Sequence, residues 1–204
     1  MSILADYYSS LFGEALPSEI LNAFAQYQKE LLMWNEKINL TAIRTPEEIE
    51  IKHFMDSLSI LPILQEYHVH SLIDIGTGAG FPGIPLKIVQ PSLRVILVES
   101  IEKKTEFCRH IISTLQLKDI EVVTARAETV GQNEIYRERF DCAVARAVAS
   151  LPVLLEYLLP LVHISGIAIA QKSASIAEEI TQADKACIVL GGKEMRVETV
   201  TIPH

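Results

Sequence analysis

Cysteine is scarce in this 204-residue chain. The three present, Cys108, Cys142 and Cys187, are odd in number, far apart and set in apolar stretches. No metal-ligand spacing links them, so buried reduced thiols are expected, with neither a disulfide framework nor a metal site. The six histidines are scattered, which argues against zinc. Long apolar runs are missing too, none reaching the roughly 18 residues needed to span a bilayer. The opening Met1-Ser2-Ile3-Leu4-Ala5-Asp6 lacks the basic flank of a secretory leader. A cytoplasmic protein with no membrane partner is therefore expected. Positive charge is in deficit, 18 Lys and Arg against 26 Asp and Glu, for a net charge of −8. That balance gives no direct sign of nucleic-acid binding, although a local basic patch can work on an acidic protein. The phosphate-loop pattern G-x-x-x-x-G-K-[ST] occurs nowhere, and no repeat, low-complexity segment or flexible linker interrupts the chain.

What is present is a globular composition, 49% hydrophobic. A chain of this length suits one α/β domain with an appended element and buries roughly 70% of its unfolded surface. Residues 1–68 read as helical. Ile20, Phe24, Tyr27, Leu31 and Trp34 recur at helical spacing from Ser18, with Asn35 and Asn39 placed at a frayed end. Thr45-Pro46-Glu47-Glu48 is a helix start with Thr45 as N-cap and Glu48 as capping-box partner, and Pro62 breaks the next stretch. From residue 71 the period changes. Short apolar runs at 72–75, 94–99, 120–123, 140–145 and 166–170 alternate with helical stretches such as 103–115 and 151–159. That alternation predicts βαβ units and a parallel sheet. A sixth strand is predicted at about Arg196 to Ile202. The predicted organisation is a helical extension, 1–68, followed by a ligand-binding α/β domain, 69–204.

Asp74-Ile75-Gly76-Thr77-Gly78-Ala79-Gly80-Phe81-Pro82-Gly83 directly follows the first predicted strand. Ligands of open α/β sheets sit outside the carboxyl ends of the strands, and glycines there let the backbone turn and approach the ligand. Three glycines at alternate positions are more than a bare turn needs. The dinucleotide pattern G-x-G-x-x-G fails from Gly76 and matches only from Gly78, two residues too late. The acidic-x-Gly-x-Gly-x-Gly spacing instead matches an S-adenosylmethionine loop. Asp74, Gly76, Gly78 and Gly80 are thus cofactor candidates. Glu99 ends the second strand, where a carboxylate can accept from both ribose hydroxyls of either ligand type. Ala127-Glu128 follows the third strand, on the adenine side; Glu128 alone reads equally well as a surface acid.

Further motifs accompany the loop: Trp34-Asn35-Glu36-Lys37-Ile38-Asn39-Leu40-Thr41, His53-Phe54-Met55-Asp56-Ser57-Leu58, Arg126-Ala127-Glu128 and Ala145-Arg146-Ala147. In this combination and order, over about residues 20–200, the chain resembles the bacterial ribosomal RNA small subunit methyltransferase G family, also called glucose-inhibited division protein B. The resemblance implies a Rossmann-like class I methyltransferase sheet, mostly parallel. It implies S-adenosylmethionine as cofactor and methylation of N7 of guanine 527 in 16S ribosomal RNA, within the 30S subunit or a precursor. It carries cofactor contact onto Gly76, Phe81, Ala127, Glu128 and Arg146. Two departures stand out. Lys172-Ser173 replaces the family's Lys-Gly, and the chain closes on Pro203-His204 where members continue into a further strand, so the sheet's last strand is expected to be missing.

Guanine N7 has an in-plane lone pair and no proton to lose, so the lack of a Ser/His/Asp constellation is no obstacle to this chemistry. Alignment is what the enzyme must supply, and a carboxylate near the cationic product would favour the transition state. His53, Asp56 and Arg146 are the catalytic candidates. His53 and Asp56 share a helix face and read either as a structural pair or as substrate-facing groups. Arg146 sits among small apolar neighbours and should face a carboxylate or phosphate. Lys52, Lys103, Lys104, Arg126 and Lys172 are candidates for RNA contact, with Arg44, Arg109, Arg137 and Arg139 as further cations. Three other functions stay compatible with the residues: a methyltransferase for a small molecule or protein, an NAD(P)-dependent oxidoreductase, and a non-catalytic binding module.

Overall fold

Five strands, all parallel, form one sheet in the computed structural model, which describes residues 3–173 and 176–202. The terminal Met1-Ser2 and Pro203-His204 lie outside the described residues. Ahead of the sheet come α1 (Ile3–Phe12), α2 (Ser18–Ile38), α3 (Pro46–Ile49), a π-helical turn (Glu50–Met55), α4 (Asp56–Leu58) and α5 (Leu61–Glu66). There follow β1 (Ser71–Ile75), α6 (Gly83–Val89), β2 (Arg94–Glu99), α7 (Glu102–Thr114), β3 (Ile120–Thr124) and α8 (Ala127–Gln132). The chain goes on through β4 (Phe140–Arg146), α9 (Leu151–Leu158), a 3₁₀ turn (Leu159–Leu161), β5 (Val162–Gln171) and α10 (Ala177–Val189). Strand order is β3-β2-β1-β4-β5, so the winding reverses between β1 and β4.

Side-chain alternation along the strands divides the core in two. Leu72, Val95, Leu97, Cys142 and Val144 point to the face covered by α6, α7 and the helices that precede β1. Ile73, Ile75, Val98, Ala143 and Ala145 point to the other face, under α8 and α9. A parallel sheet buried on both faces explains why its strands read as continuous apolar runs. The N-terminal helices are thus part of the sheet's cover. Phe24, Tyr27 and Leu31 of α2 are buried in the same cluster as Leu72 and Val144, each contributing about 1.5–3 kcal/mol by burial.

The helix signals have physical counterparts. Thr45 Oγ1 accepts from Glu48 N at 3.3 Å and Pro46 opens the helix. Asn39, at φ 46°, ends α2 in a left-handed cap. Asn35, by contrast, does not lie at a frayed end. It is 2% exposed, and its amide clamps the following loop through Thr41 N, Thr41 O and Ile43 O. The predicted sixth strand at Arg196 to Ile202 does not form, and those residues pair with no strand. A strand needs a backbone neighbour. Here Arg196 is instead drawn to Glu66 of α5, at 2.8 Å, and to Glu198. The three cysteines are free and buried. Among the described residues no helix is long and apolar enough to cross a membrane, and no cluster of side chains is placed to hold a metal ion.

Candidate active site

The loop after β1 is built on Asp74. Its side chain follows Leu72 onto the helix-covered face and is fully buried. Oδ2 accepts from Thr77 Oγ1 at 2.6 Å and from Gly83 N at 2.9 Å, so one carboxylate ties together the start and end of the loop. Burial raises its pKa to about 7, against the lowering effect of those two bonds. Gly76 and Gly78 take left-handed φ values of 69° and 61°, which a side chain would strain. Above Gly78 the space is open: a Cβ placed there would meet nothing nearer than Gly76 O, at 4.0 Å.

Tyr27 of α2 braces the loop from below. Its hydroxyl donates to Ala79 O, and its ring stacks on Phe81 with centroids 5.4 Å apart. Glu99, 7% exposed, fixes the loop from the side. Its Oε2 accepts from Gly78 N at 3.1 Å and its Oε1 from Ile101 N at 2.9 Å. A cleft opens beside these groups. Gly76, Glu99, Ala127 and Glu128 all line it, with Ile75, Val98, Ala125 and Val148 as apolar walls and Arg126 and Tyr157 at its edge. Tyr157 Oη donates to Glu128 Oε1 at 3.1 Å; a backbone hydrogen bond first, and this one second, lower the Glu128 pKa.

On the other side of the sheet's reversal stands Arg146. It follows Cys142 and Val144 onto the helix-covered face, so it meets the π-helical turn. Such turns recur at functional sites. Nη1 donates to Asp56 Oδ2 at 2.5 Å and to Lys52 O at 3.3 Å, while Nη2 lies 3.4 Å from His53 Nδ1. The carboxylate expected opposite Arg146 is therefore Asp56. His53 stacks on Phe81 at 4.4 Å, and the guanidinium carbon lies 5.2 Å from the same ring's centre. Desolvation first, and Arg146 second, lower the His53 pKa to about 4. The ring is neutral near pH 7, so Nδ1 accepts from Arg146 and Nε2 donates to Thr41 Oγ1, 2.8 Å away. The motif from Trp34 to Thr41 is thus the support of His53: Asn35 holds Thr41, and Thr41 holds the imidazole.

The structure gathers His53, Asp56, Phe81 and Arg146 at one end and Gly76, Glu99, Ala127 and Glu128 at the other, with Asp74 near the end of β1 and Gly78 and Gly80 in the loop between. The basic candidates are dispersed. Lys103 and Lys104 begin α7 next to Glu99, the first exposed and the second half-buried. Lys52 pairs with Glu48 at 2.6 Å on the surface. Lys172 is turned onto Glu179, at 2.8 Å, and Ala149 O, at 2.9 Å, and its side chain is 15% exposed. Arg44 donates to Asn35 O at 3.0 Å and Arg109 to Thr124 Oγ1 at 2.9 Å. Sequence reasoning missed Tyr27, which looked like plain core. It also passed over Gln171, whose Nε2 donates to Asp56 O at 2.8 Å. Their only signal was a polar group where helix or strand periodicity demands burial.

A parallel sheet reversing at β1/β4, with a glycine loop after β1 and an acid ending β2, is the class I methyltransferase architecture. An O-methyltransferase from Bacillus cereus, solved in complex with SAH, shares the fold at a TM-score of 0.58 and 20% identity, covering 92% of this chain and 86% of that one. A putative O-methyltransferase from Klebsiella pneumoniae does so at 0.57 and 14% identity, covering 95% and 86%. The particular family follows from sequence: the rRNA small subunit methyltransferase G model matches residues 20–204. The relative of that name from Acetivibrio thermocellus is 54% identical over 91% of this chain and 76% of its own length. The one from Roseiflexus sp. strain RS-1 is 50% identical over 94% and 82%. This chain belongs to the rRNA small subunit methyltransferase G family, which sets aside the oxidoreductase and non-catalytic alternatives.

Proposed function

We propose that this chain transfers a methyl group from S-adenosylmethionine to N7 of a guanine, position 527, in 16S ribosomal RNA, in the cytoplasm and on the 30S subunit or its precursor. The observation that carries this reading is the 54% identity, over 91% of the chain, to a protein named ribosomal RNA small subunit methyltransferase G. We assign residues 69–204 to cofactor binding, and residues 1–68 to the substrate end through His53 and Asp56.

The residues fit the cofactor. Two left-handed glycines leave open space above Gly78, which a side chain would fill. Glu99, fixed by two backbone N–H groups, keeps lone pairs for ribose hydroxyls. The cleft of about 160 Å³ with apolar walls is smaller than the roughly 300 Å³ of a complete small-molecule site, which suits the nucleoside end. When bound, S-adenosylmethionine supplies an electrophilic methyl: the S–C bond breaks with its electron pair left on sulfur, the N7 lone pair forms the new bond, and no proton leaves. The protein's part is positioning. The Asp74-braced loop and Glu99 fix one reactant, and the β4 end fixes the other, so the entropy of alignment is met by the fold. Lys103, Lys104 and Arg126, beside the cleft, are assigned to phosphate contacts, and Lys52 to the opposite flank.

The test is tritiated methyl incorporation into 30S particles from cells lacking the modification, with the product base mapped by mass spectrometry. One methyl per particle on the expected guanine is the predicted result. Transfer to another base, or none at saturating S-adenosylmethionine, refutes it.

A further inference from the structure

The two sides of the sheet's reversal carry different chemistry, and what the groups at the β4–β5 side do to the base has still to be assigned. Arg146 and Gln171 end adjacent strands in register, Arg146 opposite Gln171. Both reach the start of α4, where Asp56 lies. Arg146 Nη1 bonds the carboxylate at 2.5 Å, and Gln171 Nε2 donates to the Asp56 backbone carbonyl at 2.8 Å and lies 3.3 Å from Ser59 Oγ. Asp56 is therefore held from two strands, yet its side chain stays 31% exposed. Among the described residues its second carboxylate oxygen accepts no hydrogen bond. Arg–carboxylate pairs are frequently bidentate, with both oxygens engaged by the fork. Here one oxygen is spent on Arg146 and the other is left facing out, at the carboxyl end of the sheet.

The charge count points the same way. Arg146 contributes a positive charge and Asp56 a negative one. His53, buried against Phe81, is neutral, so the cluster as a whole carries no net charge. Without Asp56 the guanidinium would repel any cation formed beside it.

We propose that the outward oxygen of Asp56 faces the guanine and stabilises the positive charge that methylation places on the base. This rests on the guanine-N7 reading above. During transfer the formal positive charge moves from sulfur to the purine. An anion fixed at the purine end strengthens its interaction as the reaction proceeds, which is what lowers a barrier. A carboxylate held by Arg146, on a backbone held by Gln171, needs no reorganisation to do so.

The experiment compares guanosine 5′-monophosphate with 7-methylguanosine 5′-monophosphate, by calorimetry on the full chain with S-adenosylhomocysteine present, at a pH where the methylated base is cationic. The wild type should prefer the methylated nucleotide by more than about tenfold, the scale of one charge-assisted hydrogen bond, and Asp56→Asn should reduce the preference to within about twofold. S-Adenosylhomocysteine should still saturate the variant at the concentration used. Should Asp56→Asn fail to fold, the neutral pair Asp56→Asn with Arg146→Gln carries the same comparison. No preference in the wild type, or an undiminished one in the variant, overturns the proposal. Wild-type protein that methylates 30S particles while Asp56→Asn keeps its preference would sink this inference alone and leave the proposed function standing.

Discussion

Glutamine at position 99 removes one charge and one acceptor without changing side-chain length. In the structure the Glu99 carboxylate takes Gly78 N on one oxygen and Ile101 N on the other. An amide has a single oxygen, so one of these N–H groups must face an NH₂ donor. If Ile101 keeps the oxygen, the glycine loop loses one of its ties to β2, keeping those from Gly76 N and Thr77 N to Val98 O. Either way the ribose loses a charged partner. A hydrogen bond to a charged group contributes about 1.5–3 kcal/mol and a neutral one about 0.5–1.5. The difference is about 1 kcal/mol per ribose hydroxyl, and the lost tether adds about as much again. The expected cost is about 2–3 kcal/mol, which weakens cofactor binding by roughly 30- to 150-fold. Stability should suffer much less, because one mismatched bond costs about 1 kcal/mol and shifts the melting temperature of a chain this size by about 2–4 °C. Calorimetry with S-adenosylhomocysteine, beside a thermal melt, checks both numbers. Affinity within twofold of wild type would refute the reasoning and make Glu99 a structural tether only.

Gly78→Val should abolish cofactor binding with near-native far-UV circular dichroism, because it puts a β-branched residue at φ 61° into open ligand space; unchanged affinity by calorimetry would remove the loop from the site. Tyr27→Phe leaves the Ala79 carbonyl buried without its donor, costing about 1–3 kcal/mol, and a melting temperature equal to wild type would show the bond to be without weight. Arg146→Ala should cut methyl transfer to 30S particles by more than about tenfold, roughly 1.4 kcal/mol. Arg146→Lys should recover little, since Asp56, His53 and the Lys52 carbonyl are reached by two separate nitrogens; full activity in the alanine variant contradicts this. At the opposite end of the sheet burial would raise the Asp141 pKa, but hydrogen bonds from His163, His70 N and Ser71 bring it down to about 2. Since that lies below the unfolded value of about 3.9, the stabilisation is full above the unfolded pKa and lost as pH falls toward 2. Asp141→Asn should therefore be less stable near neutral pH and flat across that acid window, as read by urea unfolding at each pH.

The glycine loop was readable because its information is local. Asp74, Gly76 and Gly78 lie within five positions, directly after an apolar run, and each has a backbone reason to be where it is. Glu99 was readable for the same reason, as the acid that ends a strand. Arg146 stood out as a charge among small apolar neighbours. What could not be read was the partner of each. Tyr27 meets Ala79 across 52 positions, Arg146 meets Asp56 across 90 and Gln171 meets Asp56 across 115. Periodicity places such residues on a buried face without saying which polar atom waits there. The strand expected from Arg196 failed for a related reason: β-branched residues such as Val197, Thr199, Val200 and Ile202 mark a chain able to form a strand, and only a neighbouring strand makes it one.

Phe81 belongs to the cofactor loop, yet it stacks on Tyr27 of α2 and on His53 of the π-helical turn, with Arg146 of β4 close to its ring. Any shift of the loop that accompanies cofactor binding must therefore be felt at the groups proposed to meet the base. Linked equilibria are reciprocal, so whatever factor the base imposes on cofactor affinity through this stack, the cofactor imposes on base affinity. One aromatic ring thus makes the two binding events thermodynamically a single problem, and filling one half of the site sets the terms on which the other half fills.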